Sequence, residues 1–360
     1  MKKEEYKNVV HVKELKSIPE YDDHFLVIRL NNKKAKLEGY IAIHRKNNRL
    51  PSFGATRLWN YKTNKDALKD SLRLAKLMSY KSALAGLPYG GAKAVIMKPV
   101  GKFSREKLLE AYALELNKLK GIFVTGTDVG LSVQDLEYMK KYTKYLVGYK
   151  ANPEKATALG VKKSLDSALE HLYKNKKYSD YSYSIQGVGK VGMELLKILV
   201  GNGVRNIYIA DIDKEKIKEI IEKYPFVKSV DTNKIHCQNV DIYSPCAMSG
   251  ALNKKTINDL KCKIVVGSAN NQLSDMIIGQ ELHKKGILYC PDYIANGGGL
   301  ISVTDEYIYK NIDEKRLNKK VNKISTILKK IFDESIKKDL PPFIVSGDIG
   351  LSIINKNSLK

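Results

Sequence analysis

The segment Ser184-Ile185-Gln186-Gly187-Val188-Gly189-Lys190-Val191-Gly192 restricts the fold more than any other part of the chain. An apolar, strand-like run ends at Gln186, three glycines follow at Gly-x-Gly-x-x-Gly spacing, and an amphipathic stretch opens at the third. Each glycine has a physical reason to be there. Gly187 permits a tight turn, Gly189 lets backbone approach a pyrophosphate seated at a helix N-terminus, and Gly192 lets that helix lie close on a sheet. Such spacing alone is weak; a strand before it, a helix after it and a suitably placed acid make it specific. The acid is Asp211, nineteen residues past Gly192 and directly after the apolar run Ile207-Tyr208-Ile209-Ala210. A carboxylate there accepts from a ribose 2′-hydroxyl and repels a 2′-phosphate, so the cofactor expected is NAD. Lys190, Val191 and Ile212 belong to the same turn and strand end, while Asp213 reads as a solvated neighbour.

Beyond this turn, strand-like stretches at 183–186, 207–210, 242–243, 264–266 and 287–290 alternate with helical ones at 192–200 and 214–223. That alternation predicts α/β architecture with a doubly wound parallel sheet. The first half reads as a smaller mixed α/β unit. It has strands within 27–43 and a helix over 65–85 carrying Leu68, Leu72, Leu74, Leu77 and Met78. A Gly90-Gly91 turn then leads into a strand at 94–97. A helix capped by Ser104, a short strand at 122–124 and a helix over 133–142 complete it. The pattern breaks between Leu146 and Thr157, at Gly148, Asn152 and Pro153, which marks a hinge before a helix over 159–173. A single long helix is predicted over 315–337, stopped by Pro341-Pro342. A chain of 360 residues suits two domains, divided here as 1–150 and 151–335, with 336–360 as a closing segment.

A net charge of +24 invites a nucleic-acid reading. The lysines, however, interleave with acids, as in Asp213-Lys214-Glu215-Lys216, and form no basic tract with aromatics. Charge of that kind argues solubility and loose association, not a nucleic-acid site. No apolar run is long enough to cross a bilayer, and Met1-Lys2-Lys3-Glu4-Glu5-Tyr6 contains no apolar signal core. A cytoplasmic location is expected, with Cys237, Cys246, Cys262 and Cys290 reduced and no metal site implied.

Chemistry is suggested by Leu87-Pro88-Tyr89-Gly90-Gly91-Ala92-Lys93-Ala94-Val95-Ile96, which places a lysine after two glycines at the mouth of an apolar run. A buried lysine tends to lose its proton and can then act as a base. Lys81 stands twelve residues earlier at a helix end, and Asp128 follows the apolar segment Ile122-Phe123-Val124. One lysine could hold a substrate carboxylate while the other, crowded by like charge, serves as base and Asp128 relays protons. On spacing alone Lys81 reads better as a surface cation favoured by the helix dipole, and Lys93 stays balanced between site and scaffold.

The chain resembles the glutamate/leucine/phenylalanine/valine dehydrogenase superfamily, most closely its leucine and phenylalanine dehydrogenases. The resemblance rests on Phe53-Gly54-Ala55-Thr56-Arg57, on Tyr80–Leu87, on Tyr89–Lys93 and on Asp128-Val129-Gly130. In the second half it rests on Gln186–Gly189, Asp241–Ala247, Gly267–Gln272 and Pro291–Gly299. It implies a first domain that binds substrate and oligomerises, a dinucleotide domain, a cleft between them, and a C-terminal segment returning to the first domain. It also implies roles. Lys81 would bind the α-carboxylate, Lys93 would activate water, and Asp128 would assist proton transfer at the α-nitrogen. Asn270 and Asn271 would lie near nicotinamide and substrate, and Thr157 would contact the carboxamide. Cys246, Ala247 and Ala269 would line the cofactor cleft, and Asn296 to Gly299 would close the substrate side.

The reaction implied is oxidative deamination of an L-amino acid to its 2-oxo acid and ammonia, and the reverse, by a homo-oligomer. Glutamate-specific relatives place lysine and serine where this chain has Phe53 and Val303, so a distal carboxylate would be left unpaired. Gly54, Gly126 and Leu300 complete the pocket; the Gly126/Leu300 pair leans toward phenylalanine, whereas the bulk of Phe53 shrinks the space. Phenylalanine is slightly favoured as the substrate, with leucine, valine, isoleucine and tryptophan still open. A different enzyme on the same fold, such as a hydroxy-acid dehydrogenase, and an idle, basic homologue that binds nucleic acid are the competing readings.

Overall fold

The computed structural model describes residues 6, 8–47, 49–175 and 177–356; the N-terminal Met1–Glu5 run lies outside them. Two sheets organise the chain. The first has five strands: β1 (Leu26–Asn32), β2 (Leu37–Ile43), β3 (Ser52–Trp59), β4 (Gly90–Met97) and β5 (Phe123–Thr127), in the order β1-β2-β4-β3-β5. β1, β2 and β4 pair antiparallel, whereas β3 runs parallel to both β4 and β5. The second has six parallel strands: β6 (Tyr183–Gln186), β7 (Ile207–Ala210), β8 (Val227–Ser229), β9 (Ile242–Pro245), β10 (Ile264–Val265) and β11 (Leu288–Tyr289). Their order, β11-β10-β9-β6-β7-β8, reverses direction at β6. In doubly wound sheets the crevice at such a reversal binds the ligand.

Strand periodicity decides which residues can meet. Thr56 pairs with both Ala94 and Thr127, so side chains of odd number on β3 and β4 share one face with Gly126 and Asp128. That face, with Phe53, Arg57 and Lys93, carries the helix Asn64–Leu84, whose Ala67, Leu68, Leu72 and Ala75 pack against Val95, Tyr40 and Ala42. The opposite face carries the helix Arg105–Lys118 through Leu108, Tyr112 and Leu116. Thr63 caps the first helix by accepting from the Asp66 N–H at 3.1 Å, and Ser104 caps the second.

Three expectations from the sequence change. Gly90 and Gly91 are not a turn but the first residues of β4. The helix Asn64–Leu84 presses so close that a Cβ on Gly91 would lie 2.0 Å from the Ser79 nitrogen, and the Gly91 N–H donates to Ser79 Oγ at 2.9 Å. The helix expected from 159 starts earlier, at Pro153, because Asn152 caps it and Pro153 takes its first turn. Thr157 thus lies in a helix, not in the hinge. The single helix expected over 315–337 is two, Glu314–Val321 and Lys323–Lys338, joined at Asn322. Pro342 then opens a further helix, Pro342–Lys356, where a missing N–H costs nothing.

That last helix straddles both lobes. Ile354 packs on Ala83 of the first, and Ser346 Oγ lies 2.5 Å from Tyr293 Oη of the second. The largest apolar core is likewise continuous between lobes, running from Phe53, Leu84 and Val124 to Ile185, Leu300 and Ile324. Among the described residues no helix is long and apolar enough to cross a membrane.

Candidate active site

Lys93 sits midway along β4 with only 6 % of its surface exposed. Its Nζ donates to Asp128 Oδ2 at 2.5 Å. The same oxygen accepts from Arg57 Nε at 3.1 Å, and Arg57 reaches onward through Nη1 to Asp70 Oδ2 at 3.0 Å. Asp70 is held in turn by Tyr61 Oη at 2.6 Å and Arg73 Nη2 at 2.8 Å. Strands β3 and β4, the residue just past β5 and the helix Asn64–Leu84 therefore contribute one alternating row of charges. Burial pulls the Lys93 ammonium below its ordinary value against the opposing attraction of Asp128. Burial would raise Asp128, but Lys93 and Arg57 outweigh it and hold the carboxyl down to about 2.

Lys81 occupies the last turn of the helix that covers this face. Burial pulls it down to about 8, Asp292 of the second lobe pulls the other way, and Lys93 adds to the lowering. The charges of Lys93 and Asp128 both act on Lys81, the first lowering it and the second raising it. Asp292 is 9 % exposed. Burial raises its carboxyl; it accepts from the Asn271 N–H at 2.5 Å and from Tyr289 Oη at 3.1 Å. Asn271 has φ +51°, a left-handed conformation unusual for a residue with a side chain, so the Asp292 bond fixes a strained turn. Arg57 and Asp292 were legible only as parts of matching motifs; no spacing signal gave either a role.

In the second lobe the glycine turn has the geometry that a dinucleotide needs. Gly187 has φ +90°, and a Cβ there would lie 2.5 Å from the Ala247 Cβ. A Cβ on Gly192 would lie 2.0 Å from the Gly187 oxygen, whereas space beside Gly189 is open to 4 Å. The Val188 N–H donates to Asp211 Oδ2 at 2.7 Å, which ties the turn to the acid at the end of β7. A cleft of about 690 Å³ opens between Gly187, Asp211, Thr232, His236, Ala247 and Thr256. Ile212 stands 90 % exposed at its edge.

The remaining residues divide. The Cys246 N–H donates to the Gln186 oxygen at 2.7 Å and the Ala269 N–H to the Pro245 oxygen at 3.0 Å, so both hold the strand ends around the turn. Burial raises the Cys246 thiol above its ordinary value. Asn270 Oδ1 accepts from Asn296 Nδ2 at 2.9 Å; Asn296 Oδ1 is buried with no partner among the described residues, an acceptor that a bound molecule would satisfy. Thr157 Oγ1 donates to the Pro153 oxygen at 2.7 Å. Lys190 is exposed and pairs with Glu154 at 3.1 Å, and Val191 is a half-buried residue of the helix Lys190–Gly201.

The residues expected to line a side-chain pocket come from both lobes. Phe53 is 1 % exposed, its ring edge-to-face with Tyr89 at 4.8 Å and with Tyr307 at 5.4 Å. Each such pair adds about 0.5–1.5 kcal/mol to simple burial. A Cβ on Gly54 would strike the Ala92 oxygen at 1.8 Å, so this strand position accepts only glycine. A Cβ on Gly126 would meet the Val147 oxygen at 3.2 Å. Leu300 and Val303 lie on the helix Gly298–Tyr309.

A reversing parallel sheet with a glycine–acid turn, beside a lobe that buries a lysine–carboxylate pair, defines a dinucleotide-dependent oxidoreductase. Residues 23–145 match the pattern described as "Glu/Leu/Phe/Val dehydrogenase, dimerisation domain", and residues 148–341 that described as "Glutamate/Leucine/Phenylalanine/Valine dehydrogenase". The chain is 35 % identical over 330 residues to leucine dehydrogenase of Geobacillus stearothermophilus, covering 90 % of this chain and 89 % of that one. It is 36 % identical over 330 residues to valine dehydrogenase of Streptomyces coelicolor, covering 89 % of each. The crystal structure of L-tryptophan dehydrogenase from Nostoc punctiforme superposes with a TM-score of 0.83 at 35 % identity, covering 94 % of this chain and 97 % of that one. The chain belongs to the Glu/Leu/Phe/Val dehydrogenase family and is an amino acid dehydrogenase acting on a CH–NH2 group.

Proposed function

We propose that this protein carries out NAD-linked oxidative deamination of an apolar L-amino acid, best a branched aliphatic one, to its 2-oxo acid and ammonia, and the reverse reductive amination. The observation that carries this reading is the buried Lys93–Asp128 pair coupled to Lys81. Lys81 holds the substrate α-carboxylate as a fixed cation. The nicotinamide, when bound, supplies the acceptor for the hydride leaving Cα. Lys93, its proton loosened by burial, takes a proton from the water that attacks the imine carbon. Asp128, ionised at rest, takes up a proton transiently and returns it at the substrate nitrogen, so that the carbinolamine collapses to 2-oxo acid and ammonia. Closure of the two lobes around the segment at Gly148 (φ +87°) excludes water from the imine.

Asp211 supports NAD over NADP. Its carboxylate is anchored by the Val188 N–H where a 2′-phosphate would otherwise sit, and no cation replaces it at the exposed Ile212. Phe53, Gly126, Leu300 and Val303 include no cation, which speaks against glutamate. Phe53 is locked between two tyrosines, and Val147 borders Gly126, where an added Cβ would already meet the Val147 oxygen at 3.2 Å. Both features narrow the pocket and support leucine, isoleucine or valine over phenylalanine. The description of residues 23–145 as a dimerisation domain supports a homo-oligomer, and four free cysteines suit the reducing cytoplasm.

The test is reduction of NAD and of NADP across L-leucine, L-valine, L-phenylalanine, L-tryptophan and L-glutamate, with oxidation of NADH by the matching 2-oxo acids. Turnover on branched substrates and a strict need for ammonia in the reverse direction are expected. Ammonia-independent oxidation of NADH would overturn the reading.

A further inference from the structure

The helix Gly298–Tyr309 carries Leu300 and Val303, which the proposed function assigns to the side-chain pocket, and its two ends face different things. Near its start, a Cβ on Gly299 would lie 2.7 Å from Thr157 Oγ1, beside the dinucleotide lobe. At a rise of 1.5 Å per residue, Tyr307 stands about 12 Å further along. Leu300, Val303 and Tyr307 follow at i, i+3 and i+7 and so share one face. At the far end of that face the Tyr307 ring meets Phe53 of the first lobe edge-on, 5.4 Å between centroids at 83°. Tyr89 closes the other side of Phe53 at 4.8 Å, and Ser82 Oγ holds the Tyr89 backbone by donating to its main-chain carbonyl oxygen at 2.8 Å. Lys310 Nζ lies 4.2 Å from the Tyr307 ring centroid and fixes that ring in turn.

We propose that Tyr307 determines substrate specificity: with Phe53 it forms the end wall of the side-chain pocket, and because the two rings belong to different lobes, the wall exists only when the cleft is shut. Substrate length is thereby measured at closure. A side chain that ends short of the wall lets Tyr307 reach Phe53, and the lobes shut around Cα. A longer one holds the rings apart and keeps the reacting centre open to water. The inference rests on the reading of an apolar amino acid substrate given above.

The experiment measures kcat and KM for L-valine, L-leucine and L-phenylalanine in the wild type, Tyr307→Ala, Tyr307→Leu and Tyr307→Phe. The Ala and Leu variants are expected to raise the phenylalanine-to-leucine ratio of kcat/KM about tenfold or more, the scale on which apolar pockets discriminate. Tyr307→Phe keeps the ring and is expected to hold the ratio within about twofold of the wild type. A ratio unmoved in both truncated variants, including the case in which all three substrates decline together, overturns the proposal. Should Tyr307→Ala fail to fold, Tyr307→Leu, which keeps an apolar contact on Phe53, decides. A wild type inactive on every apolar amino acid would instead overturn the functional reading itself and take this inference with it.

Discussion

Arg57 donates through Nε to Asp128 Oδ2 at 3.1 Å, the oxygen that already accepts from Lys93. Its charge lowers both partners' proton affinities, Lys93 by repulsion and Asp128 by attraction. Removing it by Arg57→Met should raise the Lys93 pKa and move the acidic limb of the kcat/KM profile to higher pH by about one unit. At neutral pH kcat should fall about tenfold with KM little changed, since Arg57 acts through Asp128 and not on the substrate. Asp70→Asn removes a carboxylate that itself raises Lys93, so it should shift the limb the opposite way, to lower pH, and by less. An unshifted limb in Arg57→Met would show that Arg57 is scaffold only.

Lys81 yields a second pH dependence of opposite sign. Burial brings it down to about 8, so the cation that holds the carboxylate is lost as pH climbs through that value. The inhibition constant of a carboxylate without an amine, such as 4-methylpentanoate, isolates this event from titration of the substrate. It should weaken about tenfold per pH unit above 8 in the wild type. In Lys81→Arg the guanidinium stays charged, and the constant should be weaker overall but flat over the same range. A flat wild-type profile would remove Lys81 from carboxylate binding.

Much of this was legible beforehand, and the gaps have physical reasons. The glycine turn with Asp211 could be read because three separate constraints fall on consecutive residues. Lys93 was singled out by glycines before it and apolar residues after it, yet the glycines proved to be strand, pressed flat by the helix carrying Lys81. Arg57 was not readable as functional: an arginine on a strand looks solvated until β3 is known to lie between β4 and β5. Tyr307 was missed for a similar reason. It ends an apolar helical face as any core residue would, and its partner Phe53 is 254 positions away in the sequence.

Cofactor choice should respond to charge at Asp211 more than to its hydrogen bond. Asp211→Asn keeps an oxygen for the Val188 N–H while removing the negative charge, so the NADP-to-NAD ratio of kcat/KM should rise about tenfold. Adding Ile212→Arg places a cation at a position now 90 % exposed, and the double variant should prefer NADP. Preference that stays with NAD in both variants, at unchanged thermal stability, would mean that the ribose is read elsewhere.

Two buried histidines give the fold its own pH dependence. His24 is 3 % and His44 1 % exposed, and their rings meet edge-on at 4.8 Å. His24 Nε2 lies 2.9 Å from the Leu72 oxygen and must donate, so Nδ1 accepts from the Asp22 N–H at 3.2 Å. His44 Nε2 donates to Asp22 Oδ2 at 2.9 Å, and its Nδ1 is buried with no partner among the described residues. A further proton on either ring would point at a donor or at nothing. Burial accordingly lowers His24 to about 3, with His44 adding to the shift, and lowers His44 to about 4 despite its bond to Asp22. Below pH 6.5 the unfolded chain takes up protons that the native state refuses, so stability is full above 6.5 and falls as pH drops toward 4. His171, also lowered by burial, acts in the same direction. Between pH 7 and pH 5 the two histidines together should cost on the order of 3 kcal/mol, read as a drop in urea midpoint at constant m. His24→Gln, which can still donate to Leu72, should lose about half of that dependence. Equal midpoints at pH 7 and pH 5 in the wild type would show that the pair is charged in the native state.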